Sequence, residues 1–273
     1  MPDTFFPRSL WFPILSILAV YVAASMLLGL ILGNLGTLYD PTFWSFAAYA
    51  GSFFVTIGYA VALRGGWGLE IPSFHPEKWK ANPRLIVAGV ILMLATGIVL
   101  TPVLDRLPDT YIERLDEYMQ GGFWPMFTAV VAAPILEEFL FRGIIQKNLV
   151  LRLGPLWGIV LGSLIFGGIH LVPQQVVYAS CLGLILGSVY YLTGSLNSAI
   201  AVHFVNNGLT SLLYMFFGTS DSLERRILGE GPLWDWAYGT SLLLLLAAGW
   251  YTVARIRRRE RQTSPRTPDS SEN

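Results

Sequence analysis

Three short motifs built around polar side chains stand inside otherwise apolar stretches of this 273-residue chain. The motif residues are Glu137, Glu138 and Arg142; Phe166 and His170; and His203 and Asn207. A carboxylate and an imidazole together can activate water, and a second imidazole with an amide can donate hydrogen bonds to an oxyanion. One glutamate with two histidines is also a familiar ligand set for catalytic zinc. The residue types therefore indicate hydrolysis, with or without a metal.

The spacing inside each motif predicts which side chains share a helix face. Glu138 and Arg142 are four residues apart, so we expect them to pair, which would offset part of the cost of burying two charges. Glu137 is turned by about 100° from its neighbour on a helix and is expected to face a different partner. The same four-residue spacing relates Phe166 to His170 and His203 to Asn207.

Other features of the motif regions bear on the same site. Pro134 precedes the two glutamates; because it lacks an N–H, we expect it to free a main-chain carbonyl one turn earlier and to kink its helix. A charged side chain at the centre of a membrane helix costs at least about 2.5–3.5 kcal/mol, so such residues usually mark function. Each motif alone is also compatible with a simple packing contact. A proton-linked transporter is the main competing functional interpretation, since glutamate and histidine chains also carry protons.

The composition identifies the setting of these motifs. The chain is 53% hydrophobic and only 13% charged, whereas soluble domains carry about 25% charged residues. This composition predicts an all-α, polytopic integral membrane protein. A net charge of zero argues against a nucleic-acid partner. The single cysteine, Cys181, excludes a disulfide framework and a zinc module built from cysteines.

About eight transmembrane helices are predicted from apolar runs of roughly 20 residues. The runs are Ser9–Leu32, Phe43–Leu63, Leu85–Leu104, Phe123–Leu149, Leu156–Val172, Gln175–Leu192, Ser198–Phe217 and Trp236–Ile256. Lys and Arg concentrate at the termini and in the even-numbered loops, which predicts that both termini are cytoplasmic.

These runs divide the chain into four regions. Residues 1–122 form an N-terminal three-span region with an acidic outer segment, and residues 123–217 form a membrane core that carries all three motifs. Residues 218–256 contain an outer loop and the last span. Residues 257–273 are basic and then rich in Ser, Thr and Pro, so we expect a disordered cytoplasmic tail.

The motifs Glu-Glu-x-x-x-Arg, Phe-x-x-x-His and His-x-x-x-Asn, in this order on successive membrane helices, resemble the CPBP family of intramembrane proteases. That family contains the type II CAAX prenyl endopeptidases and the bacterial bacteriocin-processing and immunity proteins. All three motifs are complete here, and the resemblance covers approximately residues 123–217.

The resemblance implies hydrolysis of a peptide bond within the membrane. It assigns water activation to Glu137 with His170, oxyanion stabilisation to His203 with Asn207, and a supporting role to Glu138, Arg142 and Phe166. Members of the family have been described both as metalloproteases and as metal-independent glutamate proteases. We favour activation without a metal, because the neutral amide of Asn207 is a weak zinc ligand; if a divalent metal such as zinc is bound, Glu137, His170 and His203 are the expected ligands.

The expected partners are membrane lipid and a membrane-associated protein or peptide substrate. The expected location is the plasma membrane of a bacterium, as a multi-pass protein. A non-catalytic immunity or binding member of the same family is a further alternative, although the intact motifs argue against it.

Overall fold

The computed structural model describes residues 11–72, 80–108, 116, 120–217 and 223–263. Within these residues every regular element is helical, and six helices are long and apolar enough to cross a membrane. The chain is therefore an all-α polytopic membrane protein, as its composition predicts. The predicted orientation of the termini and the division into four regions stay predictions.

Within the described residues we number nine helices in chain order, beside a short 3-10 helix at Asn34–Thr37. They are α1 (Trp11–Gly33), α2 (Pro41–Trp67), α3 (Pro83–Leu104), α4 (residues 123–153), α5 (Pro155–Gly168), α6 (Pro173–Thr193), α7 (Leu196–Phe217), the short α8 (Leu223–Leu228) and α9 (Pro232–Thr263). Each of the eight predicted apolar runs overlaps one of these helices, and α8 lies between the last two runs. Six of these eight helices, all except α4 and α5, are long and apolar enough to count as membrane spans.

The fourth helix changes its winding along its length. Its α-helical parts, Phe123–Phe127, Ala133–Glu137 and Lys147–Leu153, are separated by two π-helical parts, Thr128–Ala132 and Glu138–Gln146. Single π-helical turns are rare and occur frequently at functional sites. Both glutamates of the first motif lie at the second boundary, where an α-helical part gives way to a π-helical one.

Local residue chemistry explains where the other helices begin and end. Helices α2, α3, α5 and α6 all start at a proline, whose fixed φ suits the first helical position. The side chains of Asp40 and Asn82 cap α2 and α3 by accepting hydrogen bonds from main-chain N–H groups. Gly68 and Gly194 end α2 and α6 in the left-handed conformation, with φ of 62° and 69°.

Two apolar clusters hold the helices together. One joins α1, α2, α4 and α5 around buried side chains such as Ile17, Phe53 and Phe166. The other joins α3, α6 and α7 around Met93, Leu186 and Val202. Phe166 belongs to the second motif, and Val202 directly precedes His203 of the third, so the motif residues lie where the two clusters meet.

Two predicted boundaries differ from the structure. Helix α5 ends at Gly168. His170 therefore lies in the turn that follows the helix and not within an apolar helix as predicted. The next residue, Leu171, has a φ of 62°, which no α-helix allows.

Helix α9 continues to Thr263, into the predicted disordered tail. Arg259 anchors this extension by donating hydrogen bonds to the carbonyls of Tyr191 and Leu192 at the end of α6. Residues 264–273 and most of the predicted acidic outer segment lie outside the described residues.

Candidate active site

Pro134 explains why the first π-helical part of α4 is linked to α7. The Ala133 N–H bonds to the carbonyl of Thr128, five residues earlier. In the same pattern the carbonyl of Ala129 would be bonded by residue 134, which is a proline without an N–H. The side-chain amide of Asn207 donates to this carbonyl instead, with an N···O distance of 2.7 Å. The predicted freed carbonyl is therefore that of Ala129, and it fixes the third motif against the first.

Glu138 is the centre of a buried ionic network. Its Oε1 atom accepts hydrogen bonds from Arg142 Nη1 and from His203 Nδ1, each at 2.9 Å. The exposed fractions of these three residues are 0%, 1% and 3%. The pairing of Glu138 with Arg142 is the one that their spacing predicts, and the bond to His203 is an addition that the spacing does not indicate.

Glu137 points away from this network, as its position on the helix predicts. Its Oε1 atom accepts a hydrogen bond of 2.7 Å from the Tyr49 hydroxyl on α2. Its Oε2 atom lies 3.9 Å from His203 Nε2, a separation that a water molecule can bridge. Each glutamate thus has one partner of its own, Tyr49 for Glu137 and Arg142 for Glu138, and His203 lies between the two.

His170 is held in one tautomer by the end of α5. Its Nδ1 atom lies 2.9 Å from the carbonyl oxygen of Phe166. A carbonyl can only accept, so Nδ1 must carry the proton, and Nε2 of the neutral ring is then an acceptor. His170 therefore presents a basic nitrogen, a property suited to holding a water molecule.

The ring of Phe166 contacts three charged or basic side chains, those of His170, His203 and Arg142. Its ring makes edge contacts with the rings of His170 and His203, at centroid distances of 5.2 and 5.9 Å. The guanidinium carbon of Arg142 lies 4.0 Å from the centre of the same ring, close enough for a cation–π interaction. The aromatic residue of the second motif therefore packs against side chains of all three motifs.

A chain of hydrogen bonds orients Asn207. Its Oδ1 atom accepts from the amide of Asn206 at 2.9 Å, and Asn206 Oδ1 accepts from the Tyr178 hydroxyl at 2.7 Å. An amide group has two N–H donors, and within the described residues Asn207 uses one of them, toward the carbonyl of Ala129. The second donor is available to a ligand.

These side chains line one cavity of about 190 Å³. Glu137, Phe166, His170, His203 and Asn207 form part of its wall, and Gln175, Tyr178, Thr210 and Ser211 add further polar groups. Glu138 and Arg142 do not line the cavity and lie behind it. The structure thus brings together the four residues predicted to be catalytic, with two of the three supporting residues in a second layer.

The predicted metal ligands do not form a metal site in the described part of the chain. Glu137, His170 and His203 share the cavity wall, but the described residues contain no group of three or more His, Cys, Asp or Glu side chains placed to hold a metal ion. By this criterion the three side chains do not form the zinc site that the residue types left open.

Tyr49, Tyr178 and Asn206 are site residues that the sequence motifs did not identify. Tyr178 and Asn206 could have been suspected from their polar groups on apolar helices, because a buried hydroxyl or amide needs a partner. Tyr49 is separated from Glu137 by 88 positions, and nothing in its local sequence relates it to the motifs.

Residues 119–209 match the model of the Rce1-like family, described as type II CAAX prenyl endopeptidase Rce1-like. The match covers about a third of the chain and contains all seven motif residues. No curated protein and no solved structure matches the chain significantly. The matched segment confirms the family resemblance that the motifs predict, and at the level of the family it supports an intramembrane endopeptidase of the CAAX-protease type.

Proposed function

We propose that this protein, whose central segment is of the type II CAAX prenyl endopeptidase Rce1-like family, hydrolyses a peptide bond by general-base activation of water on Glu137. One observation carries the proposal. The side chains of Glu137, His170, His203 and Asn207 line a single cavity inside a membrane protein. The family match supports the class of reaction.

Water is activated by two groups in the proposed reaction. Glu137 Oε2 takes one proton of the water, and the basic Nε2 atom of His170 accepts a hydrogen bond from the other. The oxygen attacks the peptide carbonyl, and the carbonyl electrons move to the oxygen to give a tetrahedral oxyanion. Glu137 then returns the proton to the leaving nitrogen as the C–N bond breaks, which yields a carboxylic acid and an amine.

The oxyanion is stabilised by Asn207 and His203. The second N–H of the Asn207 amide is one donor. His203 donates its Nδ1 proton to the carboxylate of Glu138, so a neutral ring would have only an acceptor at Nε2. In this proposal His203 donates to the oxyanion as an imidazolium with both nitrogens protonated, and Glu138, 2.9 Å from Nδ1, is its ion-pair partner. Each donor of this kind contributes about 10²–10³-fold to the rate.

The substrate in this proposal is a membrane-associated protein or peptide, because the cavity lies among helices that cross the membrane. We keep the bacterial plasma membrane as the predicted location. The cavity wall is polar near Gln175, Thr210 and Ser211, which suits the main-chain amides of an extended peptide.

The proposal is tested by comparing the purified wild type with Glu137→Gln. Membranes that contain either form are analysed for new protein termini by mass spectrometry, and peptides that cover the cleavage sites are then assayed with purified protein. Glu230→Gln is the matched control, because it makes the same chemical change at a side chain that is 85% exposed. We expect cleavage by the wild type and the control, and a loss of at least about 10³-fold in Glu137→Gln.

Equal cleavage by the wild type and Glu137→Gln would refute the mechanism. Flux of a solute driven by a pH gradient in proteoliposomes, without any cleavage, would favour the transporter interpretation. Metal content and the effect of a chelator are measured on the same samples, and we expect activity to persist after chelation.

A further inference from the structure

Tyr49 forms the shortest polar contact of Glu137 within the described residues, and it comes from outside the segment that matches the family. The hydroxyl of Tyr49 donates to Glu137 Oε1 at 2.7 Å. Tyr49 lies on α2, whereas the match spans residues 119–209. The hydrogen bond therefore links the N-terminal helices directly to the proposed general base.

The packing around Tyr49 gives its hydroxyl a fixed direction. The Tyr49 ring contacts the fully buried ring of Phe53 at a centroid distance of 5.0 Å. Phe53 contacts the ring of Tyr21 on α1, also at 5.0 Å. A tyrosine has only two side-chain torsions to lose on ordering, so a row of packed rings holds its hydroxyl at little further entropic cost.

A carboxylate that acts as a base needs one oxygen directed at the water. Glu137 is only 7% exposed, and its Oε1 atom is occupied by Tyr49. The Oε2 atom is directed at the cavity, 3.9 Å from His203 Nε2. An alternative rotation of the carboxylate would exchange the two oxygens, and the bond from Tyr49 opposes that rotation.

We propose that Tyr49 is a positioning residue for Glu137, which holds Oε1 so that Oε2 accepts the proton from the attacking water. This inference rests on the proposed function, in which Glu137 is the general base. It also makes α2, which lies outside the matched segment, part of the catalytic unit. Tyr49 does not touch the reacting atoms and acts only through Glu137.

The experiment compares Tyr49→Phe with Tyr59→Phe in the full-length purified protein. Tyr59 lies on the same helix and packs against Trp67, so its variant removes the same hydroxyl at a distance from the cavity. For Tyr49→Phe we expect kcat to fall by about 10- to 100-fold, as for loss of a hydrogen bond to a charged group, with KM changed by less than about threefold. We expect Tyr59→Phe to behave as the wild type.

A second set of variants tests the inference if Tyr49→Phe folds poorly. Replacement of Tyr49 by ring-fluorinated tyrosines keeps its shape and makes the hydroxyl a stronger donor. We expect these variants, which keep a hydroxyl at position 49, to retain kcat within about threefold of the wild type. A kcat as low as that of Tyr49→Phe would overturn the inference.

The possible failures can be told apart. If Glu137→Gln cleaves as well as the wild type, the proposed function fails and the inference fails with it. If Glu137→Gln is inactive while Tyr49→Phe keeps kcat within about twofold, only the inference is overturned. A loss of activity in Tyr49→Phe that matches the loss of folded protein also overturns it.

Discussion

The double role of Glu138 can be separated by two substitutions. Glu138 accepts from Arg142 and from His203 on the same oxygen, and all three side chains are almost fully buried. Glu138→Gln removes one charge of the buried pair. Arg142→Met then removes the other and leaves a flexible side chain that can pack against the ring of Phe166. The two single variants and the double variant form a thermodynamic cycle.

The expected effects on stability follow from burial. Glu138→Gln leaves the guanidinium of Arg142, which is 1% exposed, without its carboxylate. Breaking a buried pair in this way costs about 3–5 kcal/mol, whereas replacing both charges by groups of similar size is often close to neutral. The double variant should therefore unfold at a temperature much nearer to that of the wild type than Glu138→Gln does.

The expected effect on activity is different. A glutamine at position 138 still offers an oxygen to His203 Nδ1, so the ring keeps its orientation. It no longer offers the negative charge that would pair with an imidazolium at His203, so in the proposed mechanism the oxyanion loses the His203 donor. We expect cleavage to fall by about 10²–10³-fold, as for loss of one oxyanion donor, in Glu138→Gln and equally in the double variant.

The assay measures thermal unfolding in detergent together with kcat/KM for one cleaved peptide. Recovered stability with unrecovered activity is the expected pattern. If the double variant returned to within about fivefold of wild-type activity, Glu138 would act only as the partner of Arg142, and the proposed role of the His203 imidazolium would be refuted.

Two further predictions concern stability. Gly167→Ala should lower the unfolding temperature, because its new Cβ would lie 2.0 Å from Ser180 Oγ and 2.7 Å from the Val176 carbonyl oxygen; overpacking of this kind costs about 1–3 kcal/mol. Gly168→Ala is the matched control, because no atom lies within 4 Å of its Cβ, and equal unfolding temperatures would contradict the packing argument. Burial raises the pKa of Glu224 on α8 above its ordinary value of 4.5, and Asp105 raises it further. The folded form therefore binds this proton more tightly than the unfolded form, so the contribution to stability is complete below about pH 4.5 and is lost as the pH rises through the raised pKa. Glu224→Gln should flatten this part of the unfolding temperature–pH curve, and an unchanged curve would contradict the prediction.

Local features of the chain could be predicted from the sequence because their physical cause is local. Apolar runs of sufficient length predicted each membrane helix, and four-residue spacing predicted the pair of Glu138 with Arg142. The contact between Phe166 and His170 has the same origin. Of the two adjacent glycines at the end of α5, only Gly167 lies in close contact with a neighbouring helix. The motif spacing does not contain the direction from which α6 approaches.

Contacts between distant parts of the chain could not be predicted in this way. His203 meets Glu138 across 65 positions, and Tyr49 meets Glu137 across 88. Such pairs depend on how whole helices pack, which a motif does not encode. The sequence contained only the weaker hint that each of these side chains has polar atoms that need partners in an apolar environment.

The change of winding along α4 links its local sequence to the contacts that it makes with distant parts of the chain. In an ideal α-helix, the missing N–H of Pro134 would leave the carbonyl four residues earlier without a partner. The two adjacent glutamates would point about 100° apart. The π-helical parts on either side of Ala133–Glu137 add a residue to each local turn. The first moves the unbonded carbonyl to Ala129, within reach of Asn207. The second π-helical part begins at Glu138. Glu137 is therefore the last residue of an α-helical part, and its side chain bonds to Tyr49. Glu138 is the first residue of the π-helical part, and its side chain bonds to Arg142 and His203. The proline that weakens the helix thus supplies the acceptor that fixes Asn207, and the change of winding gives two identical side chains different partners.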